Sequence, residues 1–226
     1  SLTGFSHFSL APLSGSHGEL ISMIAIKKYH NDNSPNRNVI LLPKSCHGTN
    51  AATCKIAGFK IGNIDDINCK SFYEEISKGI EKYGADNIAG TMITFPNTLG
   101  YYDDDVKKSL DLIKSVGGLC YMDGANLNSM VGHLDLPEIG FDICHLNLHK
   151  TFAVPHGGGG PGSGPILFTK KLNQYIPDWE TAQFGVSRYG NTLANFMSKL
   201  YLTEMSEKEI LSIATKANSN GSMMGL

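Results

Sequence analysis

The chain lacks any apolar run approaching the roughly 18 residues that cross a bilayer. Its opening residues, SLTGFSHFSL, lack the charged-then-apolar layout of a secretory signal. A soluble, unexported protein in a cytoplasm-like compartment is therefore expected. The chain also lacks an excess of charge: 19 basic and 21 acidic residues nearly cancel, leave a net charge of -2 and are scattered. Without a basic stripe there is no footprint for nucleic acid, and without a polybasic cluster there is none for an anionic membrane. A small-molecule ligand is what remains. The five cysteines (Cys46, Cys54, Cys69, Cys120 and Cys144) are odd in number and form no CxxC, which argues against a disulfide framework. They sit mostly inside apolar segments and read as reduced core residues. No internal repeat is present. Hydrophobic material is ample, because 226 residues at 41% hydrophobic content suffice for one large core.

Strand-like and helix-like segments alternate. Residues 5–11 alternate apolar and small, and Ser14-Gly15-Ser16-His17-Gly18-Glu19 then leads into a helical pattern carrying Leu20, Met23, Ile24 and Ile26. Further strands are expected over 38–42, 88–95, 119–122, 143–148 and 166–169, with helices over 50–58, 71–82 and 104–116. Strands separated by helices need crossover connections, so the expected class is α/β, a mostly parallel sheet with helices on both faces. Residues 1–190 read as one large domain. Residues 191–226 read as a C-terminal segment, helical from about 193 to 217 and ending in a polar tail over 218–226.

In such a sheet the ligand belongs at the carboxyl ends of the strands, and the unusual residues fall there. Between Asp142 and Pro165 the chain reads DICHLNLHKTFAVPHGGGGPGSGP: an apolar strand ends in a lone base, Lys150, and opens onto a glycine-rich loop. A lysine so placed, with His145, Asn147 and His149 before it and an isolated acid in YMDGAN upstream, suits a Schiff base with pyridoxal phosphate. Strand periodicity puts His145, Asn147 and His149 on one face and Cys144, Leu146, Leu148 and Lys150 on the other. Desolvation beside an apolar wall would then favour the neutral amine of Lys150. A solvated loop lysine is the plainer alternative.

Asp123 emerges from a buried strand and, desolvated, needs a cationic partner; a protonated pyridine nitrogen would serve, and Ala125 is small enough to lie flat against a ring. The alternative is a helix cap. Ser14, Gly15 and Ser16 precede a helix, where hydroxyls, N–H groups and the helix dipole hold a phosphate, though Ser14 or Ser16 is equally an ordinary N-cap. His47 could stack on an aromatic ring and Thr49 hydrogen-bond it, against the alternative of a solvated loop histidine. Competing motifs fare worse. His145 and His149 have HxxxH spacing but no intervening glutamate and no helix. Gly157, Gly159 and Gly162 match GxGxxG, yet prolines interrupt and a strand follows where a dinucleotide fold needs a helix.

The segments SGSHGE, CHGTNAAT, TFPNTLG, YMDGANLNSMVG, GFDICHLNLHKTFAVPHGGGGPGSGP and SRYGN together resemble glycine decarboxylase, the pyridoxal-phosphate P protein of the glycine cleavage system. SGSHGEL, FPNTLG and YGN look more like the separate second subunit of the two-subunit form. That resemblance implies a fold-type-I pyridoxal-phosphate enzyme that decarboxylates glycine and passes the aminomethyl group to the lipoyl arm of H protein, alongside a companion first subunit. Matched residue by residue, it implies that Lys150 carries the cofactor, Asp123 pairs with the ring nitrogen and His47 stacks on the ring. Ser14, Gly15 and the neighbouring loop would hold the phosphate, and Thr49, Ala125, Asn147, His149 and Thr151 would line the pocket. His156, Gly157 and Gly158 would border the channel for glycine and the lipoyl arm. A cytoplasmic location follows, or a mitochondrial matrix.

Departures from the family stand beside this. Little chain precedes the first motif or follows the last, residues 171–185 are shorter than the family's, Ala51 replaces a usual proline and Cys46 a common alanine. A catalytically inactive pyridoxal-phosphate-binding subunit that acts in assembly, or another fold-type-I enzyme, is the alternative reading.

Overall fold

Four segments of the chain are apolar almost without interruption because both faces of the sheet they form are covered. The computed structural model describes residues 2–67, 71–156, 162–177 and 187–224. In it β2 (Val39–Pro43), β4 (Ile88–Thr94), β5 (Leu119–Gly124) and β6 (Ile143–Leu146) are buried along their whole length. With β1 (His7–Ser9), β3 (Lys60–Ile64) and β7 (Ile166–Phe168) they make a seven-stranded sheet in the order β1-β7-β6-β5-β4-β2-β3. Pairing is parallel from β3 through β6, and β7 runs antiparallel to both its neighbours.

Two hydrophobic cores sandwich the sheet. On one face α1 (Gly15–Asn33) and α2 (Gly48–Ile56) bring Ile21, Met23, Ile26 and Cys54 against Ile40, Met92 and Tyr121. On the other, α3 (Phe72–Tyr83), α4 (Val106–Ser115) and the short α5 (Leu136–Ile139) pack Ile76, Leu110 and Ile113 against Leu41, Cys120 and Phe141. The expected α/β class with helices on both faces is what is observed. A single turn, α6 (Leu148–Thr151), follows β6, and α7 (Thr192–Glu204) and α8 (Glu207–Met224) close the described chain.

Three expectations need correction. The strand expected over 143–148 stops at Leu146, where the chain leaves the sheet and Lys150 N–H donates to Asn147 O (2.9 Å) in a helical turn. β3 was not expected; its KIGNI sequence, at the sheet edge, buries only Gly62 and Ile64 and so carries a weak apolar signal. Residues 218–224, expected as a polar tail, are helical, because α8 docks by polar contacts: Asn218 Nδ2 donates to Ser129 O (3.0 Å), and His133 Nε2 meets Leu211 O (2.8 Å). Of the cysteines, Cys54, Cys120 and Cys144 are buried, Cys46 is half-buried, and Cys69 lies outside the described residues.

His30, deep on α1, places Nε2 2.7 Å from Ala89 O on β4. Burial lowers its pKa from 6.5 to about 4. A histidine lowered on folding contributes stability that is full above pH 6.5 and lost as the pH falls toward 4, a window worth about 3 kcal/mol. Urea unfolding followed between pH 7 and pH 4.5 is expected to show this loss. His30→Gln, which keeps an N–H for Ala89, should flatten that part of the slope.

Candidate active site

The carboxyl ends of β2, β4, β5 and β6, with the N-terminus of α1, surround a cleft of about 490 Å³, a size ordinary for a small-molecule site. Of the residues expected at the site, Ser14, Gly15, Ser16, His47, Thr49, Asp123, Ala125, Asn147, His149, Lys150 and His156 all line it. Thr151 is buried outside the lining, and Gly157 and Gly158 lie outside the described residues.

Sheet register builds the floor. Asp123 on β5 is directly opposite His145 on β6, and Oδ1 lies 3.6 Å from His145 Nε2. Both are buried, at 3% and 1% exposure. Asp123 also accepts hydrogen bonds from Asn50 Nδ2 (3.1 Å) and the Ala125 N–H (3.0 Å). It therefore closes a local turn; it does not cap the 3-10 turn Leu127–Ser129, whose N-cap position is Asn126. Tyr121 Oη sits 2.5 Å from His145 Nδ1, and burial, then Asp123 and Glu19, hold its phenol pKa well above the usual value. His145 Nε2 faces two acceptors, Asp123 Oδ1 and Asn147 Oδ1 (3.2 Å), so a proton resides on it.

The near wall is the start of α1. Ser14 is its N-cap and accepts from the His17 N–H (3.2 Å). The amides of Gly15 and Ser16 are among the first of the helix and have no intrahelical acceptor. Together with the helix dipole they could receive an anion from the cleft. A Cβ on Gly15 would overlap Asn147 Nδ2 and come within 3.1 Å of His145 Nε2, so the Asn147 side chain would have to move to admit it. Ser14 is therefore the ordinary N-cap of α1, and its capping leaves the Gly15 and Ser16 amides turned to the helix start.

The far wall departs from expectation. Once the chain turns helical at Leu148, strand alternation ceases, and His149 and Lys150 face the same cleft as His145 and Asn147. Lys150 is exposed, so the desolvation expected beside an apolar wall is absent. His149 packs against His156 with centroids 4.1 Å apart and ring planes tilted by 44°; burial, then His156 and Lys150, lowers its pKa. His149 Nδ1 and Thr151 Oγ1 are buried with no hydrogen-bond partner among the described residues. His145 and His149 do not act as an HxxxH pair, since His145 is bonded to Tyr121 and His149 packs against His156.

This chain is similar to glycine dehydrogenases (decarboxylating). It is 44% identical over 177 residues to the probable subunit 2 of Pyrococcus furiosus, covering 78% of this chain and 35% of that protein. To the enzyme of Flavobacterium johnsoniae it is 39% identical over 241 residues, covering 99% of this chain and 25% of the relative. The chain is homologous to one segment of glycine dehydrogenase (decarboxylating). It spans about a fifth to a third of the length of the curated relatives it matches. No family model matches it. Among solved structures, an inhibitor-bound glycine decarboxylase (P-protein) of the glycine cleavage system aligns with a TM-score of 0.68 at 14% identity, over 93% of this chain and 51% of that one. That likeness shows a shared fold-type-I architecture.

The cleft also contains residues that the sequence did not lead one to expect. Glu19, Thr94, Thr98, Asn126 and Gly162 line the cleft. Glu19 is the consequential one, at 3% exposure, with its carboxyl group 2.8 Å from Thr49 Oγ1. Its sequence signal is an acid within an otherwise apolar stretch of helix, directly after Ser14-Gly15-Ser16-His17-Gly18.

Gly15→Ala is expected to lower the unfolding free energy by about 1–3 kcal/mol through overpacking against Asn147. Gly48→Ala, whose Cβ would meet nothing within 4 Å, should be neutral or slightly stabilising at the first turn of α2. Urea midpoints of the two variants at unchanged m-value provide the comparison.

Proposed function

We propose that this chain is a pyridoxal-phosphate-binding subunit of a glycine decarboxylase, removing the carboxylate of glycine as CO2 and handing the aminomethyl group to the lipoyl arm of H protein. The observation that carries the reading is convergence. Motif residues from five separated segments, each quoted by the resemblance, meet in one cleft, and the relatives named for this activity match 78% or more of the chain. Pyridoxal phosphate, when bound, supplies an electron sink for the bond being broken. Its needs fit what is present: an anion seat at Gly15 and Ser16, a buried carboxylate at Asp123, an amine at Lys150 and a partnerless Nδ1 on His149.

The chain's own residues would act as follows. Lys150 supplies the amine for covalent attachment of the aldehyde. Asp123, fixed by Asn50 and Ala125, holds a proton on the facing ring nitrogen. His47, at the N-cap of α2, covers the ring, and Thr49 positions His47. Asn147 and His149 would line the pocket that holds cofactor and amino acid, and that pocket would have to orient the bond to be broken. His156 and the glycine loop border the way in for the lipoyl arm. A companion first subunit completes the assembly, in keeping with the subunit 2 relatives. The cytoplasm is the compartment we assign, on the unpaired buried cysteines.

One observation favours the second reading, a catalytically silent cofactor-binding subunit: Lys150 and His156 are exposed, so this chain alone does not exclude water around the amine. Visible absorption separates the readings. With pyridoxal phosphate added, the wild type is expected to develop a band that Lys150→Ala lacks and that shifts on adding glycine. Release of labelled CO2, at least 100-fold above Lys150→Ala, is expected only with companion subunit and lipoylated carrier present. A Lys150-dependent band without turnover in the full assembly would establish the silent subunit. A band indifferent to Lys150 would sink both.

A further inference from the structure

Glu19 has no role in the reading above, yet it is one of the most buried acids in the protein. It projects from the second turn of α1 toward α2, with Oε1 2.8 Å from Thr49 Oγ1 and Oε2 3.3 Å from Thr53 Oγ1. Thr49 Oγ1 in turn lies 2.7 Å from His47 Nδ1, and the Thr49 backbone N–H donates to that same Nδ1 at 3.3 Å. We propose that Glu19 is a positioning residue, which through Thr49 holds His47 in the tautomer with Nδ1 bare and the proton on Nε2.

The argument is a count of protons. A nitrogen that accepts the Thr49 N–H carries no hydrogen of its own. The Thr49 hydroxyl has one proton, and beside a bare Nδ1 it must donate there. Its oxygen is then the acceptor for Glu19, which must bring the proton as a carboxylic acid. In this order all three contacts are hydrogen bonds, and the N-cap of α2 is made. The reverse order, from Nδ1–H to Thr49 to a Glu19 carboxylate, sacrifices the cap bond and buries an anion. Thr53 does not alter the count, because its hydroxyl is closer to Thr49 O (3.0 Å) and Asn50 O (3.1 Å) than to Glu19.

The surroundings point the same way. Burial raises the Glu19 pKa above its ordinary 4.5, with Asp123 adding to the rise and His145, Thr49 and Asn50 opposing it. The other titratable groups around it are His47 itself and Cys46, Cys54 and Tyr121, whose own pKa values are raised with Glu19 among the causes. His47 thereby offers the cleft a ring of fixed orientation whose free nitrogen is a donor. The use of that ring in catalysis rests on the function proposed above; the tautomer itself does not.

Long-range proton–nitrogen correlation spectra of the cofactor-free full chain, with the His47 signals assigned by their loss in His47→Gln, read the tautomer directly. The wild type is expected to show Nε2–H at neutral pH. Glu19→Gln, which keeps a donor for Thr49, should hold the same tautomer, whereas Glu19→Ala, which removes that donor, should release the ring toward a mixture of the two. Nδ1–H in the wild type or in Glu19→Gln, or a tautomer unchanged in Glu19→Ala, would each overturn the proposal. Failure of the Lys150-dependent band would leave these spectra unchanged, so the two readings fail separately.

Discussion

Two carboxyl groups buried within reach of one imidazole set the terms for the rest of this molecule. Asp123, Glu19 and His145 each place a polar atom within 4.8 Å of the others, all of them buried. Removing a carboxylate from water is costly unless hydrogen bonds or a counter-charge compensate. The protein answers differently for each acid. Asp123 receives two N–H donors and faces His145; Glu19 lies beside the hydroxyls of Thr49 and Thr53, and burial raises its pKa. A shared site in which one acid is solvated by donors and the other pushed toward neutrality is how two like groups coexist in a low-dielectric interior.

That cluster depends on register. Asp123 lies opposite Thr94 on one side and His145 on the other because β4, β5 and β6 are parallel and in step. A slip of one residue would turn Asp123 and His145 to the opposite face, toward the other core. The apolar partners that pin the register, Met92 and Tyr121 on one face and Cys120 and Met122 on the other, therefore hold the polar site as firmly as they hold the fold. The start of α1 is drawn onto the same spot by close backbone approach. A Cβ on Gly164 would collide with the Ser14 carbonyl, as one on Gly15 would with Asn147. The glycines let a helix N-terminus and a strand end occupy neighbouring positions, and an anion seat and an amine are then available to one ligand.

The sequence made the strand and helix alternation legible, since buried parallel strands are written as apolar runs and their connections as amphipathic ones. It made most of the cleft legible too, because the unusual residues sit at strand ends, where the topology gathers them. Where a signal was local and weak it misled. Nothing in LNLHKT marks the change from strand to helical turn at Leu148, so period-two alternation was carried two residues too far and assigned Lys150 to a buried wall it does not face. β3 is an edge strand with two buried residues, and the last turns of α8, from 218 on, are polar and contact Ser129 through Asn218; neither writes an apolar pattern. Glu19 could not be placed because its burial depends on α2 folding across it, a contact between residues 30 and more positions apart.

Lys150 bears most on how the site works. Its exposure means that this chain does not itself tune the amine by burial, in contrast with the floor of the cleft, where every titratable group is buried and partnered. The site is thus asymmetric: a dry floor that presents hydrogen-bonding groups, and an open wall that carries the Lys150 amine. An aromatic cofactor with a cationic nitrogen would complete the floor by supplying the positive charge that Asp123 faces, and by filling the cleft it would desolvate the wall. Ligand binding and folding are coupled in such an arrangement, because a ligand that binds only the assembled cleft adds its binding energy to the stability of the strand ends that form it. The floor can be specified by this chain's own register, whereas the environment of the amine depends on what occupies the cleft and what closes over it.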